Sequence, residues 1–390
     1  MKDLKIFDKM RLKGHTLSNR LVVAPMTRRS ANKFGIPTPR MADYYGNFAG
    51  GGFGMIITEG TYTDTYYSQS DENQPGIVTD EQIMGWETVV DKVHREGSLI
   101  ILQLMHAGAL SQFHESTIAP SAIEPIGERS TEEGGLKGSF PMPRAMNYTD
   151  FLNIKSGFVQ AALHAREAGF DGVEIHSANG YLFDQFLTEY TNVRTDDYGG
   201  STRNRLRFLM EVFSAVKLVS DPDFIIGIRL SESKVNDLTY RWPKGSETAT
   251  EVFSILNEID PDYLHIAAEG GNWARESLYS DGLSSTGLAK SLTKSLVIAN
   301  GGLHDIALAE KLIQTNQADL ISIGRAALAN SAWPNLIRDN QPIIPFFKEL
   351  IKPSLTLEHS ENALKRYYMN LPEVNLYTDK KEFPKVKKDS

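Results

Sequence analysis

His176, Asn179 and Tyr181 arrive together in the stretch Gly172-Val-Glu-Ile-His176-Ser-Ala-Asn179-Gly-Tyr181-Leu. An imidazole, an amide and a phenol so placed can act on a carbonyl compound. Two donors can hold an oxygen on which negative charge develops, and a phenol, with a reference pKa of about 10, stays protonated and can give its proton away. A lone strand histidine is more often a hydrogen-bonded core residue; the company of Asn179 and Tyr181 favours an oxyanion-type site. Val173 and Ile175 are β-branched, as a parallel strand covered on both faces favours, so the trio is expected just past a strand end, where α/β folds place chemistry.

Other strands end in polar groups as well. The first delivers Pro25-Met26-Thr27 with Arg28 behind, the second Glu59-Gly60, and the third Gln103 followed by His106. The fifth ends in Arg229, the seventh in Asn300-Gly301-Gly302 and the eighth in Gly324-Arg325. Glycines after one strand and a Gly-Arg pair after the next suit a phosphate: bare backbone N–H groups can approach the anion and Arg325 can bind it bidentately. Gln103 can donate and accept along a pyrimidine edge, and Arg229 can neutralise an anionic reduced flavin. Thr27 could donate to a flavin carbonyl, although alone it would read as a strand-end cap. Metal ligation by His106, His114 or His176 lacks a close cluster of carboxylates and histidines, so no metal is expected.

The elements that must position these groups follow from periodicity. Short apolar runs at 21–26, 53–59, 99–104, 172–176, 225–230, 262–268, 295–300 and 319–324 alternate with segments long enough for helices. Parallel neighbours need such crossovers, and eight units at this length predict a single (β/α)8 TIM barrel. Thr79-Asp80 opens a helix that ends before Gly97, Thr149-Asp150 opens another, and Ser201 caps a third over 202–218. Residues 10–17 alternate around Lys13-Gly14 and predict a β-hairpin lid at the barrel bottom. The expected organisation is a barrel over 1–345 and a C-terminal extension, 346–390, packed on it or trailing from it, with a frayed lysine-rich end. The Gly-, Pro- and Ser-rich stretch 105–148 is a long functional or mobile loop.

Bulk properties narrow the class. The 390 residues carry a net charge of −8, which argues against nucleic acid as a partner, since a polyanion demands a basic face. The chain has no cysteine, which excludes disulfides, iron–sulfur clusters, thiolate zinc sites and cysteine nucleophiles. No apolar run reaches the roughly 20 residues that span a bilayer, and the N-terminal residues carry no signal-peptide pattern, so a cytoplasmic enzyme without a membrane partner is expected. Oligomeric state stays open, a homo-oligomer included.

Six motifs in chain order, Ala24-Pro-Met-Thr-Arg28, Gln103-Leu-Met-His106-Ala-Gly108, His176-Ser-Ala-Asn179-Gly-Tyr181-Leu, Arg194-Thr-Asp-Asp-Tyr-Gly-Gly-Ser201, Asn300-Gly-Gly302 and Ile323-Gly-Arg325, resemble those of the old yellow enzyme family of FMN-dependent ene-reductases over about residues 5–340. The resemblance implies FMN across the barrel mouth, with Pro25, Met26, Thr27, Gly60, Gln103 and Arg229 at the isoalloxazine ring and Gly302, Gly324 and Arg325 at the phosphate. It implies a ping-pong reaction in which NADH or NADPH gives up hydride and leaves, and an α,β-unsaturated carbonyl compound takes its place. His176 and Asn179 would then hold the carbonyl oxygen, and Tyr181 would protonate the α-carbon. Ala109 stands where members commonly carry arginine, and the branch with cysteine at the Thr27 position is excluded. The alternatives are a different FMN barrel oxidase, a flavoprotein NAD(P)H oxidase or redox buffer without an organic acceptor, and a metal-dependent aldolase-type barrel.

Overall fold

Period-two alternation in the strands decides which side chains enter the barrel and which meet the helices. The structure, a computed structural model, describes residues 4–130, 138–268 and 270–370. Its strands are β1 (Leu21–Val23), β2 (Met55–Ile57), β3 (Leu99–Met105), β4 (Gly172–Asn179), β5 (Ile225–Lys234), β6 (Tyr263–Ala267), β7 (Leu296–Asn300) and β8 (Leu320–Ile323). Each pairs in parallel with its neighbours in chain order, and β8 returns to β1 through Ile321 opposite Leu21 and Ile323 opposite Val23. The expected (β/α)8 barrel is therefore closed, without a sheet edge.

Helices α1 (Pro39–Gly50), α2 (Asp80–Arg95), α3 (Tyr148–Glu167), α4 (Thr202–Val219), α5 (Ser246–Leu256), α6 (Ser285–Leu292), α7 (Ile306–Gln314) and α8 (Trp333–Arg338) follow the strands in order. Local chemistry starts them where it should. Thr79 and Gln82 close a capping box at α2, and Ser201 accepts from the Asn204 N–H at α4. Helix α3 begins slightly earlier than expected, because Asn147 is its cap and Asp150 closes the box.

Leu21, Val23, Ile321 and Ile323 point outward into the large core shared with the helices, whereas Val22 and Leu320 point inward. The inward set, Val22, Met55, Ile57, Ile101, Ile225, Tyr263, Ile298 and Leu320, forms one apolar cluster with Leu12 and Leu17. Those two leucines come from the antiparallel hairpin Met10–Leu12/His15–Leu17, whose turn uses a left-handed Lys13 at φ 52°. The hairpin thus plugs the bottom of the barrel, as its alternation suggested. Gly227 makes room inside, since a Cβ there would lie 2.1 Å from the Tyr263 ring.

Two expectations need correction. Strands β4 and β5 do not stop at 176 and 230; they run on to Asn179 and Lys234, which pair after a break in register beyond Leu230. Their polar ends, Ser177-Ala-Asn179 and Ser231-Glu-Ser-Lys234, are buried because the strands cover one another. The second strand is instead interrupted: β2 ends at Ile57, and Thr61–Tyr62 rejoins β3 opposite Leu104 and Met105. The described part of the C-terminal extension lies against the barrel. Helix Leu357–Met369 docks beside β1, where Arg28 Nη2 donates to Thr356 O at 3.3 Å and to Ser360 Oγ. The lysine-rich run at 380–389 lies outside the described residues. Among the described residues, no helix is long and apolar enough to cross a membrane.

Candidate active site

Above the apolar plug the barrel interior turns polar. Gln103 on β3, Glu174 on β4, Arg229 on β5, His265 on β6 and Ser322 on β8 all point inward and are buried. Gln103 Nε2 donates to Glu174 Oε1 at 2.7 Å, and His265 Nδ1 lies 2.9 Å from Glu174 Oε2. Burial pushes the Glu174 carboxyl up, but His265, Arg229 and the Gln103 amide outweigh it and hold the group below its ordinary value. Burial, reinforced by Arg229, holds His265 low against the pull of Glu174. An ionised Glu174 and a neutral His265 follow. Glu174, His265 and Ser322 escaped the sequence reading; the usable signal was a carboxylate and a histidine inside β-branched runs that have no room for solvent.

At the mouth, the His176 and Tyr181 rings meet edge to face, with centroids 5.1 Å apart. Burial, then the Arg229 charge, press the His176 pKa down to about 3, so the imidazole is neutral. Its buried Nδ1 has no hydrogen-bond partner among the described residues. Asn179 ends β4 in the left-handed region, at φ 65°, and its N–H donates to Ser231 Oγ at 2.7 Å. The next N–H, that of Gly180, donates to Asp184 Oδ2 at 2.6 Å, and Tyr181 caps the short helix Leu182–Leu187. The turn that carries the trio is therefore pinned from both sides.

The other side of the mouth is built on Glu59. Its carboxylate accepts the N–H groups of Arg28 and Arg29 at 2.8 and 3.2 Å, fixing the turn just after Pro25, Met26 and Thr27, all half-buried. Burial pushes its pKa up to about 7, against the pull of these bonds and the Arg28 charge. Thr58 Oγ1 accepts the Gln103 N–H at 3.1 Å, and Gln74 Nε2 donates to Gly60 O at 2.7 Å. A Cβ at Gly60 would strike Met105 Sδ at 2.4 Å and lie 3.4 Å from Gln103 Oε1, so the amide oxygen faces this bare stretch of chain.

The glycines at the ends of β7 and β8 form a cradle. Gly301 and Gly302 have φ of 118° and 69°, and a Cβ on Gly302 would lie 2.7 Å from Gly271 O. Gly271, at φ 70°, leaves no room for a Cβ beside the Arg325 guanidinium, which also donates to Gly270 O at 3.4 Å. Arg325 is exposed and lies over the Phe346 ring. A Cβ at Gly324 would meet nothing closer than Met26 Sδ at 3.5 Å, which joins the cradle to the Pro25–Thr27 turn. The Gly270-Gly271 pair after β6 is a second element that the sequence reading missed. This continuous surface fits FMN: a bare-backbone pocket with one guanidinium for the phosphate, an amide and a second guanidinium for the pyrimidine edge.

The site thus built stands beside consistent relatives. The NADH:flavin oxidoreductase / NADH oxidase family matches residues 5–343. A probable flavin mononucleotide-dependent alkene reductase of Leishmania infantum is 34% identical over 339 residues, covering 83% of this chain and 87% of that protein. Among solved structures, the old yellow enzyme homologue of Zymomonas mobilis superposes with a TM-score of 0.79 at 28% identity, over 88% of this chain and 95% of that one. Morphinone reductase in complex with tetrahydroNAD gives 0.76 at 32%, over 87% and 92%. This chain belongs to the NADH:flavin oxidoreductase / NADH oxidase family, that of the old yellow enzyme, with FMN as cofactor and NAD(P)H as reductant.

Proposed function

We propose that this protein reduces the C=C bond of α,β-unsaturated carbonyl compounds, with reductant and substrate using the same place in turn. The observation that carries the reading is a neutral, buried His176 whose Nδ1 finds no partner among the described residues, in ring contact with Tyr181 at the barrel mouth. FMN, when bound, would supply the two-electron redox chemistry that links NADH or NADPH to the alkene. Pro25, Met26, Thr27, Gly60, Gln103 and Arg229 would hold its ring, and Gly301, Gly302, Gly324 and Arg325 its phosphate.

The chain's own part is positioning and proton transfer. His176 and Asn179 hold the carbonyl oxygen and stabilise the charge that develops there, and a neutral imidazole does so as a hydrogen-bond partner rather than as an ion. Tyr181 donates its phenolic proton to the α-carbon. We assign this chemistry to residues 1–345, with 346–390 as a C-terminal extension.

The test is an anaerobic absorbance spectrum followed by NADH or NADPH and then cyclohexenone. Bleaching by the nicotinamide and recovery of the yellow colour with the enone is the expected result. Recovery only on admitting oxygen would replace the ene-reductase reading with that of an NAD(P)H oxidase.

A further inference from the structure

The polar layer beneath the mouth spans the barrel as one connected set. From Gln103 the chain of contacts runs to Glu174 at 2.7 Å, to His265 at 2.9 Å and on to Ser322 Oγ at 2.8 Å. The acceptor at Glu174 assigns the proton of His265 to Nδ1, leaving Nε2 to accept from Ser322. Arg229 Nη1 lies 3.3 Å from both nitrogens of that ring, so the guanidinium packs against the imidazole.

A carboxylate at 0% exposure in the middle of a barrel is expensive, and an apolar side chain of similar size would cost less. Its effects fall on the two groups above it. As an acceptor without a proton, it draws Gln103 Nε2 downward and leaves Oε1 turned toward Gly60 at the mouth, the orientation that offers a lone pair to an imide N–H. As a charge, it stands against Arg229, whose positive field favours an electron-rich ring.

We propose that Glu174 is a positioning residue that sets both the amide orientation of Gln103 and the reduction potential of bound FMN, lowering that potential by countering Arg229. This rests on the reading above that the flavin ring lies against Gln103 and Arg229. A flavin that is too readily reduced would hold its electrons; the carboxylate keeps the reduced form reactive toward an alkene.

The experiment compares midpoint potentials and FMN dissociation constants of the holoenzyme, Glu174→Gln, Glu174→Asp and Arg229→Met, by photoreduction against reference dyes. Glu174→Gln is isosteric and keeps an acceptor for Gln103 Nε2, while its amide N–H can face His265 Nδ1 once the imidazole proton moves to Nε2, where Ser322 Oγ can accept it. It should favour the reduced over the oxidised cofactor about tenfold, a rise of about 30 mV for a two-electron couple. Arg229→Met should shift the potential in the opposite direction. Glu174→Asp keeps the charge but shortens the reach to Gln103, so it should weaken FMN binding and leave the potential close to that of the unmodified protein. A shift for Arg229→Met with none for Glu174→Gln overturns the role of Glu174 and leaves the flavin placement standing. No shift in either overturns the placement too. An equal shift in the Gln and Asp variants overturns the charge argument.

Discussion

Lys234 donates to both carboxylate oxygens of Asp184, at 2.6 and 2.8 Å, and neither side chain reaches solvent. The same carboxylate accepts the Gly180 N–H, and Lys234 pairs with Asn179 across β4 and β5. The pair therefore anchors the turn between Asn179 and Tyr181 from beneath. Removing one partner leaves a buried charge, so Lys234→Met should cost about 3–5 kcal/mol. Adding Asp184→Asn should recover most of that loss, because the amide oxygen still accepts from Gly180. Denaturant unfolding of the two variants measures this; equal losses would show that the charges do not act as a unit.

Tyr181→Phe keeps the ring against His176 and removes only the proton donor. Oxidation of the reduced enzyme by cyclohexenone should slow by roughly 10²–10⁴, the usual contribution of a general acid. Reduction by NADH or NADPH should be unchanged. Stopped-flow measurement of the two half-reactions separates the effects, and an equal loss in both would remove Tyr181 from the proton-donor role.

His176 and Glu59 pull stability in opposite directions with pH. His176 is pressed from 6.5 down to about 3, so the unfolded chain binds more protons in that window, and the contribution is lost as pH falls. Glu59 is raised from 4.5 to about 7, so the folded chain binds more protons, and that contribution is lost as pH rises. Between 4.5 and 6.5 the two oppose each other. Relative to the parent, His176→Gln should lose stability as pH rises through this interval and Glu59→Gln should gain it. Urea midpoints across the interval would read the slopes, and slopes parallel to the parent's would rule out both assignments.

Arg325 and Gly271 make a prediction that separates phosphate from ring. Arg325→Met removes a charge-assisted contact worth about 1.5–3 kcal/mol, a loss of roughly ten- to a hundredfold in FMN affinity. Riboflavin, which has no phosphate, should bind both proteins alike. Gly271→Ala should mimic the effect by displacing the guanidinium. Titration of apoprotein with the two flavins checks this, and a parallel loss for riboflavin would move Arg325 away from the phosphate.

Most of the barrel was legible because its strands are short β-branched runs and its helices begin at capping residues such as Thr79 and Ser201. The mouth was legible because polar residues at strand tips have few packing explanations. What stayed hidden has a common cause. A parallel strand covered on both faces shows no alternation of apolar and polar residues, so periodicity does not mark Glu174 or His265 as facing inward, and only their polarity within β-branched runs does. The continuations Ser177–Asn179 and Ser231–Lys234 read as loop because they are polar, although strand pairing buries them. Asp184 and Lys234, and Arg28 and Ser360, meet only through the fold.

Closure of the barrel also fixes when the protein can acquire its cofactor. Strand β1 stays unpaired on one side until β8 exists, and Arg28 waits for Thr356, 328 positions later. At ribosomal speeds of roughly 5–20 residues per second, the nascent chain carries an open sheet edge for many seconds before the mouth can form. Flavin loading therefore belongs after synthesis, and chains terminated before residue 323 should be captured by chaperones or aggregate rather than emerge as yellow fragments.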